Sequence, residues 1–300
     1  MNHDHHARAM LVISMAVFGT LGPFVRCIPL SSSALALARA VLAAALIFLY
    51  LTVSRQNIPL KQMKGEAPLL LLSGAAMGIN WILLFESYKY TAVSIATLSY
   101  YFAPVIVTIA CPILFRERLT GKQILCFLMS TAGLVLITGL GKGGQGGRDL
   151  IGILFGLGAA AFYAAVILLN KFIRQVNGIH RTFLQFLAAI AVLIPYVAAS
   201  GGMGLDQMNA VSWAALLTVG FVHTGITYCL YFSSLKELPG QKAAILSYID
   251  PLVAVFVSIC FLGEKITPPQ LLGGAMILGF TLLNELPSRH PEAADSHVSV

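Results

Sequence analysis

The 300-residue chain is 58% hydrophobic and only 10% charged, with a formal net charge of +7 at pH 7. An ordinary soluble domain has about 25% charged residues, so this composition excludes a soluble enzyme or a soluble binding domain. Apolar runs of roughly 20 residues, each able to cross a ~30 Å hydrocarbon layer, recur along the sequence. The sequence therefore predicts an all-α membrane protein that crosses the bilayer many times.

In chain order, the runs between charged, proline and glycine interruptions predict ten transmembrane helices. They cover residues 9–27, 32–53, 66–88, 91–114, 120–139, 150–170, 179–199, 211–235, 241–262 and 268–286. Residues 287–300 are expected to form a cytoplasmic tail.

The positions of Lys and Arg predict the orientation, because inner loops carry an excess of both. With the amino terminus inside, thirteen of the 19 lie on the inner side and Arg39 lies within the second span, leaving on the outer side only Arg26, Lys89, Lys142, Arg148 and Lys265. We expect a multi-pass protein of a plasma (inner) membrane with both termini in the cytoplasm. This asymmetry accounts for the net charge without a nucleic-acid partner.

One long segment occurs twice, as "TLSYYFAPVIVTIACPILFRERLTGKQ" and as "ILSYIDPLVAVFVSICFLGEKITPPQ". A shift of 147 residues places Pro104 on Pro251 and Glu117 on Glu264. Five spans separate the copies, and because five is odd, the second copy is inserted upside down. The sequence thus predicts two inverted five-helix repeats, 1–140 and 150–286, joined by a glycine-rich linker.

Inverted repeats are typical of secondary transporters, whose two similar halves surround a central site. The two repeated segments, together with "FESYKYTAVSIATLSYYFAP", resemble the EamA-type transporters of the drug/metabolite transporter superfamily. The resemblance implies a central cavity surrounded by helices 1, 3, 4, 6, 8 and 9, in a family whose members export amino acids, other metabolites or toxic organic compounds. We therefore expect a transporter that exports a small organic metabolite, such as an amino acid, by alternating access.

Two other classes stay open: a membrane receptor or scaffold that transports nothing and, with less support, a membrane enzyme. The sequence shows no Ser/His/Asp, metal-ligand or phosphate-loop constellation, and its five cysteines lack metal-ligand spacing. We expect no catalytic residues, no metal and no other cofactor.

Asp250 interrupts an apolar run directly before Pro251, where a charge costs about 2.5–3.5 kcal/mol. Counting the helical rise places Asp250 and His223 at one depth on consecutive spans. We hypothesise that the pair faces the cavity and exchanges a proton near physiological pH, so that protons are coupled to solute movement. The alternative is that Asp250 only holds the bundle together through a hydrogen bond.

Pro104 and Pro251 each remove one helical hydrogen bond and free the carbonyl four residues earlier. A hinge is favoured because the feature is present in both repeats, with a purely structural kink as the alternative. Glu86, at the outer end of the third span, is expected to pair with Arg39 or Lys89, or to act as a gate or a solute-binding carboxylate.

Further amphipathic side chains are candidates for the lining of the cavity. Aromatic faces and scattered polar groups match a small amphipathic organic solute better than an inorganic ion. These candidates are Asn80, Trp81, Tyr100, Tyr101, Tyr163, Tyr228 and Tyr248.

Overall fold

The computed structural model describes residues 2–55, 60–115, 120–138, 148–173, 175–176, 178–238 and 246–286, and all regular structure within them is helical. The α-helices are α1 (Asn2–Gly19), α2 (Leu21–Arg26), α3 (Ser32–Val53), α4 (Leu60–Tyr90), α5 (Val93–Tyr100), α6 (Ala103–Phe115), α7 (Gly121–Thr138), α8 (Arg148–Phe172), α9 (Gly178–Ala199), α10 (Ala210–Leu217), α11 (Thr227–Glu237), α12 (Ile249–Leu262) and α13 (Pro268–Glu285). A π-helical segment, Thr218–Ile226, joins α10 to α11, and a short 3₁₀ turn, Leu205–Gln207, precedes α10.

Within the described ranges, seven helical stretches are long and apolar enough to cross a membrane, and two shorter apolar helices, Gly121–Ile137 and α12, accompany them. Large apolar side chains such as Val53, Phe256 and Phe261 are exposed on the outside, as expected of a surface that contacts lipid. The all-helical membrane architecture is therefore confirmed, while the count of ten spans stays a prediction.

Several spans are interrupted. In the fourth predicted span, α5 ends at Tyr100 and α6 begins at Ala103. In the ninth, a turn at Tyr248 precedes α12, at the position equivalent to Tyr101. Pro104 and Pro251 thus lie in the first turns of α6 and α12, where proline is tolerated because the first helical N–H groups have no intrahelical partner.

The two halves of the chain pack closely against each other. Helix α4 packs on α8 and α9, α3 packs on α9, and α1 packs on α11 and α12. Because first-half helices take most of their neighbours from the second half, the centre of the molecule is an interface between the two halves.

The π-helical segment lies directly against α3. The Thr224 hydroxyl donates to the carbonyl five residues earlier (2.8 Å), which follows the wider π-helical winding. Gly220 and Gly225 bring this backbone onto Leu42 and Leu46 of α3, and a Cβ at either glycine would collide with those leucines. π-Helical turns are rare and frequent at functional sites, and this one determines what the neighbouring Arg39 contacts.

Helices α7 and α13 meet through glycine. A Cβ on Gly133 would lie 2.6 Å from the Gly273 carbonyl oxygen, and a Cβ on Gly273 would collide with the Gly133 carbonyl. Gly279, on the same helix as Gly273, has nothing within 4 Å of its Cβ position.

Replacing Gly273 by Val should therefore lower the free energy of unfolding by about 1–3 kcal/mol, the usual cost of overpacking. The matched variant Gly279→Val adds the same side chain to open space and should change the free energy of unfolding far less. Thermal unfolding in detergent, followed by tryptophan fluorescence, measures both variants. Equal losses would show that the glycine contact does not hold these helices together.

Candidate functional site

A cavity of about 450 Å³ lies between the two halves of the chain, within the size range of small-molecule sites. Its wall is mainly apolar and aromatic with a few polar groups. Sequence candidates in the wall are Trp81, Tyr100, Tyr101, Pro104, Tyr163, Tyr228, Tyr248 and Asp250, and Arg39 lines it as well.

Asp250 is tied to the other half of the chain. The Tyr101 hydroxyl donates to Asp250 Oδ2 at 2.5 Å, across 149 residues of sequence. Tyr101 lies in the interruption between α5 and α6, and Asp250 lies in the first turn of α12, where the helix dipole favours a negative group. This hydrogen bond joins the two interrupted spans at the wall of the cavity.

Arg39 is almost fully buried, with 4% of its surface exposed. Its Nε donates to the Thr224 hydroxyl (2.7 Å), and its guanidinium carbon lies 4.8 Å from the centre of the Trp81 ring and 5.6 Å from that of Phe85. Cation–π contacts of this kind stabilise a desolvated guanidinium. The suggested Arg39–Glu86 pair is wrong, because the π-helical segment and the aromatic rings surround Arg39 instead.

Glu86 lies outside the cavity lining. Its carboxylate accepts hydrogen bonds from the Ser32 hydroxyl (2.5 Å) and from Lys89 (3.0 Å). The expected Lys89 partner is therefore present, and Glu86 ties the end of α4 to the start of α3.

His223 does not pair with Asp250, contrary to the sequence-based expectation. Its Nε2 lies 2.9 Å from the Thr20 hydroxyl, its Nδ1 lies 3.3 Å from the Thr218 carbonyl, and its ring packs on Phe24. Counting residues gives the depth of a side chain but not its direction around the helix axis, and the π-helical winding changes that direction. His223 instead holds the junction between α1 and α2.

Asn80 also lies outside the lining. Its amide donates to the Ala159 carbonyl (2.6 Å), which ties α4 to α8. Among the aromatic candidates, Tyr100 stacks on Tyr163 with ring centres 5.3 Å apart, and Tyr228 packs edge-on against Phe18. These two ring pairs contribute to the aromatic wall of the cavity.

One end of the cavity reaches the junction of α8 and α9, where a polar network was not predicted. The Gln185 amide donates to the Ser73 hydroxyl (2.6 Å) and to Asn170 Oδ1 (2.7 Å), and Arg181 lines the same end. Asp250 was selected because it is a polar residue within an apolar span. Gln185 also lies within a predicted span, so the same criterion could have identified it.

At the opposite end of the cavity lies a group of contacts that we call the closing cluster: Arg26, Val93, Ser94 and Glu264. The Glu264 carboxylate accepts from the Val93 and Ser94 N–H groups (2.8 and 3.2 Å) and from the Ser94 hydroxyl (2.9 Å), and it pairs with Arg26 at 3.0 Å. A carboxylate here satisfies the free N–H groups at the start of α5 and complements the helix dipole. Because Val93 also lines the cavity, the cluster borders this end.

Glu264 lies three residues before Thr267, the N-cap residue of α13. In the structure Thr267 forms the capping box of α13 with Gln270, and Glu264 caps α5, a helix of the other half. The equivalent Glu117 lies outside the described residues.

The model of the EamA-like transporter family matches residues 7–139 and again 150–285. The chain belongs to this family. The sequence-based resemblance is thereby confirmed, and the paired match covers most of the chain.

Named relatives are transporters rather than enzymes. The chain is 32% identical over 269 residues to the uncharacterized transporter YxxF of Bacillus subtilis (89% of this chain, 85% of the relative), and 32% identical over 282 residues to an uncharacterized transporter of Archaeoglobus fulgidus (93% and 96%). It is 28% identical over 219 residues to the threonine/homoserine exporter RhtA of Escherichia coli K12 (72% and 71%). One crystal structure at 15% identity superposes with a TM-score of 0.64, covering 92% of this chain and 96% of the other, which shows a shared fold alone.

Water should reach the cavity at Ser247, which lines it, but not at Ser258, whose surface is fully buried on α12. In a cysteine-free background, Ser247→Cys should react with a water-soluble thiol reagent, whereas the matched variant Ser258→Cys should not. Mass spectrometry of the labelled protein measures both. An inert Cys at position 247 in every condition that supports solute movement would contradict an aqueous cavity.

Proposed function

We propose that this chain is a secondary transporter that exports a small amphipathic organic solute, such as an amino acid, by alternating access through the cavity between its halves. The observation that carries the proposal is an aromatic cavity of about 450 Å³ that places Arg39 and Asp250 inside a membrane protein. The name of the relative RhtA, a threonine/homoserine exporter, supports amino acids as candidate solutes.

The proposed topology has ten spans in two inverted repeats, 1–140 and 150–286, in an inner membrane with both termini and the 287–300 tail in the cytoplasm. The excess of Lys and Arg in alternate loops supports this orientation. The two family matches, and the helix interruptions at the equivalent positions of Tyr101 and Tyr248, support the repeat.

In that orientation, the cavity end at Asn170 and Arg181 faces the cytoplasm and the closing cluster lies on the outer side. The described conformation is then inward-facing. To open outward, the chain must separate Glu264 from Arg26 and from the start of α5 while the inner end closes. The interruptions next to Pro104 and Pro251 are the proposed hinges, because a helix end changes direction more readily than a continuous helix.

Asp250 is the proposed proton-coupling group, with Tyr101 rather than His223 as its partner. Protonation removes the negative charge of Asp250 from the cavity wall, so the protonated and ionised cavities differ in their affinity for a charged group of the solute. A proton and a cationic group on the solute then compete for one site, which couples proton entry to solute exit.

Replacing Asp250 by Asn should abolish the accumulation that a pH gradient drives, because Asn keeps a hydrogen bond to Tyr101 but does not titrate in this range. Purified protein is reconstituted in liposomes, and the movement of radiolabelled threonine, a solute in the name of RhtA, is measured with and without an imposed gradient. The matched control Asp206→Asn makes the same change on an exposed 3₁₀ turn and should keep the response to the gradient.

An unchanged pH response of the Asp250→Asn variant would mean that Asp250 only holds the helices together. Failure of the folded wild-type protein to move any solute would instead favour a membrane receptor, a scaffold or an enzyme.

A further inference from the structure

Arg39 carries a positive charge into the centre of the molecule without a direct carboxylate partner. Arg26–Glu264 and Lys89–Glu86 are close ion pairs in the part of the chain that the structure describes, whereas Arg39 forms none there. A buried charge of this kind is expensive unless it is paired or serves a function. The absence of a close counter-charge suggests that a ligand supplies it.

The hydrogen-bonding capacity of Arg39 is mostly unused. A guanidinium has five N–H donors, and among the described residues Arg39 donates from Nε to Thr224. Some polar side-chain atoms are fully enclosed and have no partner, but the two terminal nitrogens of Arg39 do not belong to that group. These nitrogens therefore keep accessible surface, and Arg39 lines the cavity. They therefore open onto the cavity.

The guanidinium is also held in a fixed position. Thr224 anchors Nε, and Trp81 lies against the guanidinium at 4.8 Å. The close approach of Gly220 and Gly225 to α3 places Thr224 beside that helix. A fixed planar fork of donors is suited to binding a carboxylate through two parallel hydrogen bonds.

We propose that Arg39 binds the carboxylate of the transported solute and that this solute is a zwitterion. This inference rests on the proposed transport function and names its substrate class. Arg39 and Asp250 line one cavity, and each has its own hydrogen-bond partner, Thr224 and Tyr101. A solute with only a negative charge would be repelled by ionised Asp250, and a solute with only a positive charge would be repelled by Arg39. A solute with both charges can place its carboxylate at Arg39 and its cationic group at Asp250.

Arg148, at the start of α8, provides a matched control outside the cavity. Its side chain is exposed, and it is not among the residues that line the cavity. Its replacement by Gln removes the same charge from the chain but leaves the charge of the lining unchanged.

The test measures how strongly the protein distinguishes an amino acid from its methyl ester, which lacks the carboxylate charge. The twenty standard amino acids are screened by radioligand binding to purified protein, and the tightest binder is compared with its ester. Wild-type protein should bind the acid at least about tenfold more tightly, as expected for charge-assisted hydrogen bonds.

Arg39→Gln should reduce this preference to about twofold or less, while Arg148→Gln should keep it. Arg39→Lys keeps the charge but loses the planar fork, and it tests the assignment if Arg39→Gln does not fold; its preference should fall at least about threefold. Equal binding of acid and ester by the wild type, no binding of any amino acid, or an unchanged preference in a folded Arg39 variant each overturns the assignment.

Liposome flux measured on the same preparations separates this inference from the proposed function. Flux of a solute without any carboxylate preference overturns the role of Arg39 and leaves transport intact. Arg39-dependent binding without flux of any solute overturns transport and leaves the carboxylate site intact.

Discussion

A charged side chain inside a bilayer needs a counter-charge, hydrogen-bond partners or water, and this requirement governs the centre of the molecule. Asp250 obtains a hydrogen bond from Tyr101, and Arg39 obtains one from Thr224 together with two aromatic faces. Neither arrangement neutralises the charge. Both residues therefore depend on the cavity between the halves, and the cavity in turn depends on helices of each half packing against those of the other.

Interruptions and a π-helical segment within the spans determine the positions of Arg39 and Asp250. The interruption after Tyr100 allows Tyr101 to reach Asp250, and the turn at Tyr248 places Asp250 at the start of a helix. The π-helical segment presents Thr224 to Arg39, and its glycines allow the close approach. A set of uninterrupted helices would leave the same residues at the same depths but facing different neighbours.

Composition and periodicity were sufficient to predict much of the architecture. They predicted helical membrane spans and the aromatic residues that the structure places in the wall. They did not predict the breaks at Tyr101 and Tyr248, because Pro104 and Pro251 were expected to bend continuous helices rather than to lie in the first turns of new ones. They could not predict the partners of Arg39 and His223, because residue counting gives depth and leaves the direction around the helix axis undetermined. The π-helical winding, for which no simple sequence signal exists, then determined that direction.

Contacts between the two repeats could not be predicted from the sequence either. Glu264 lies three residues before the threonine that begins the next helix, so its local sequence favours a capping role there. Its carboxylate instead caps α5, 170 residues away in the chain. The same carboxylate forms an ion pair with Arg26 next to one end of the cavity. In the proposed transport cycle, this residue, which looks structural from its local sequence, belongs to the contacts that separate when the chain opens outward.

The most direct test of alternating access is counterflow in liposomes that contain purified, folded wild-type protein. Vesicles are loaded with an unlabelled mixture of the standard amino acids and diluted into trace amounts of the labelled forms. A carrier that exposes one zwitterion site alternately to each side predicts a transient accumulation of at least one label above its external concentration, absent from protein-free vesicles. Labels that only equilibrate, or do not enter at all, would contradict alternating access to an amino-acid site in this cavity.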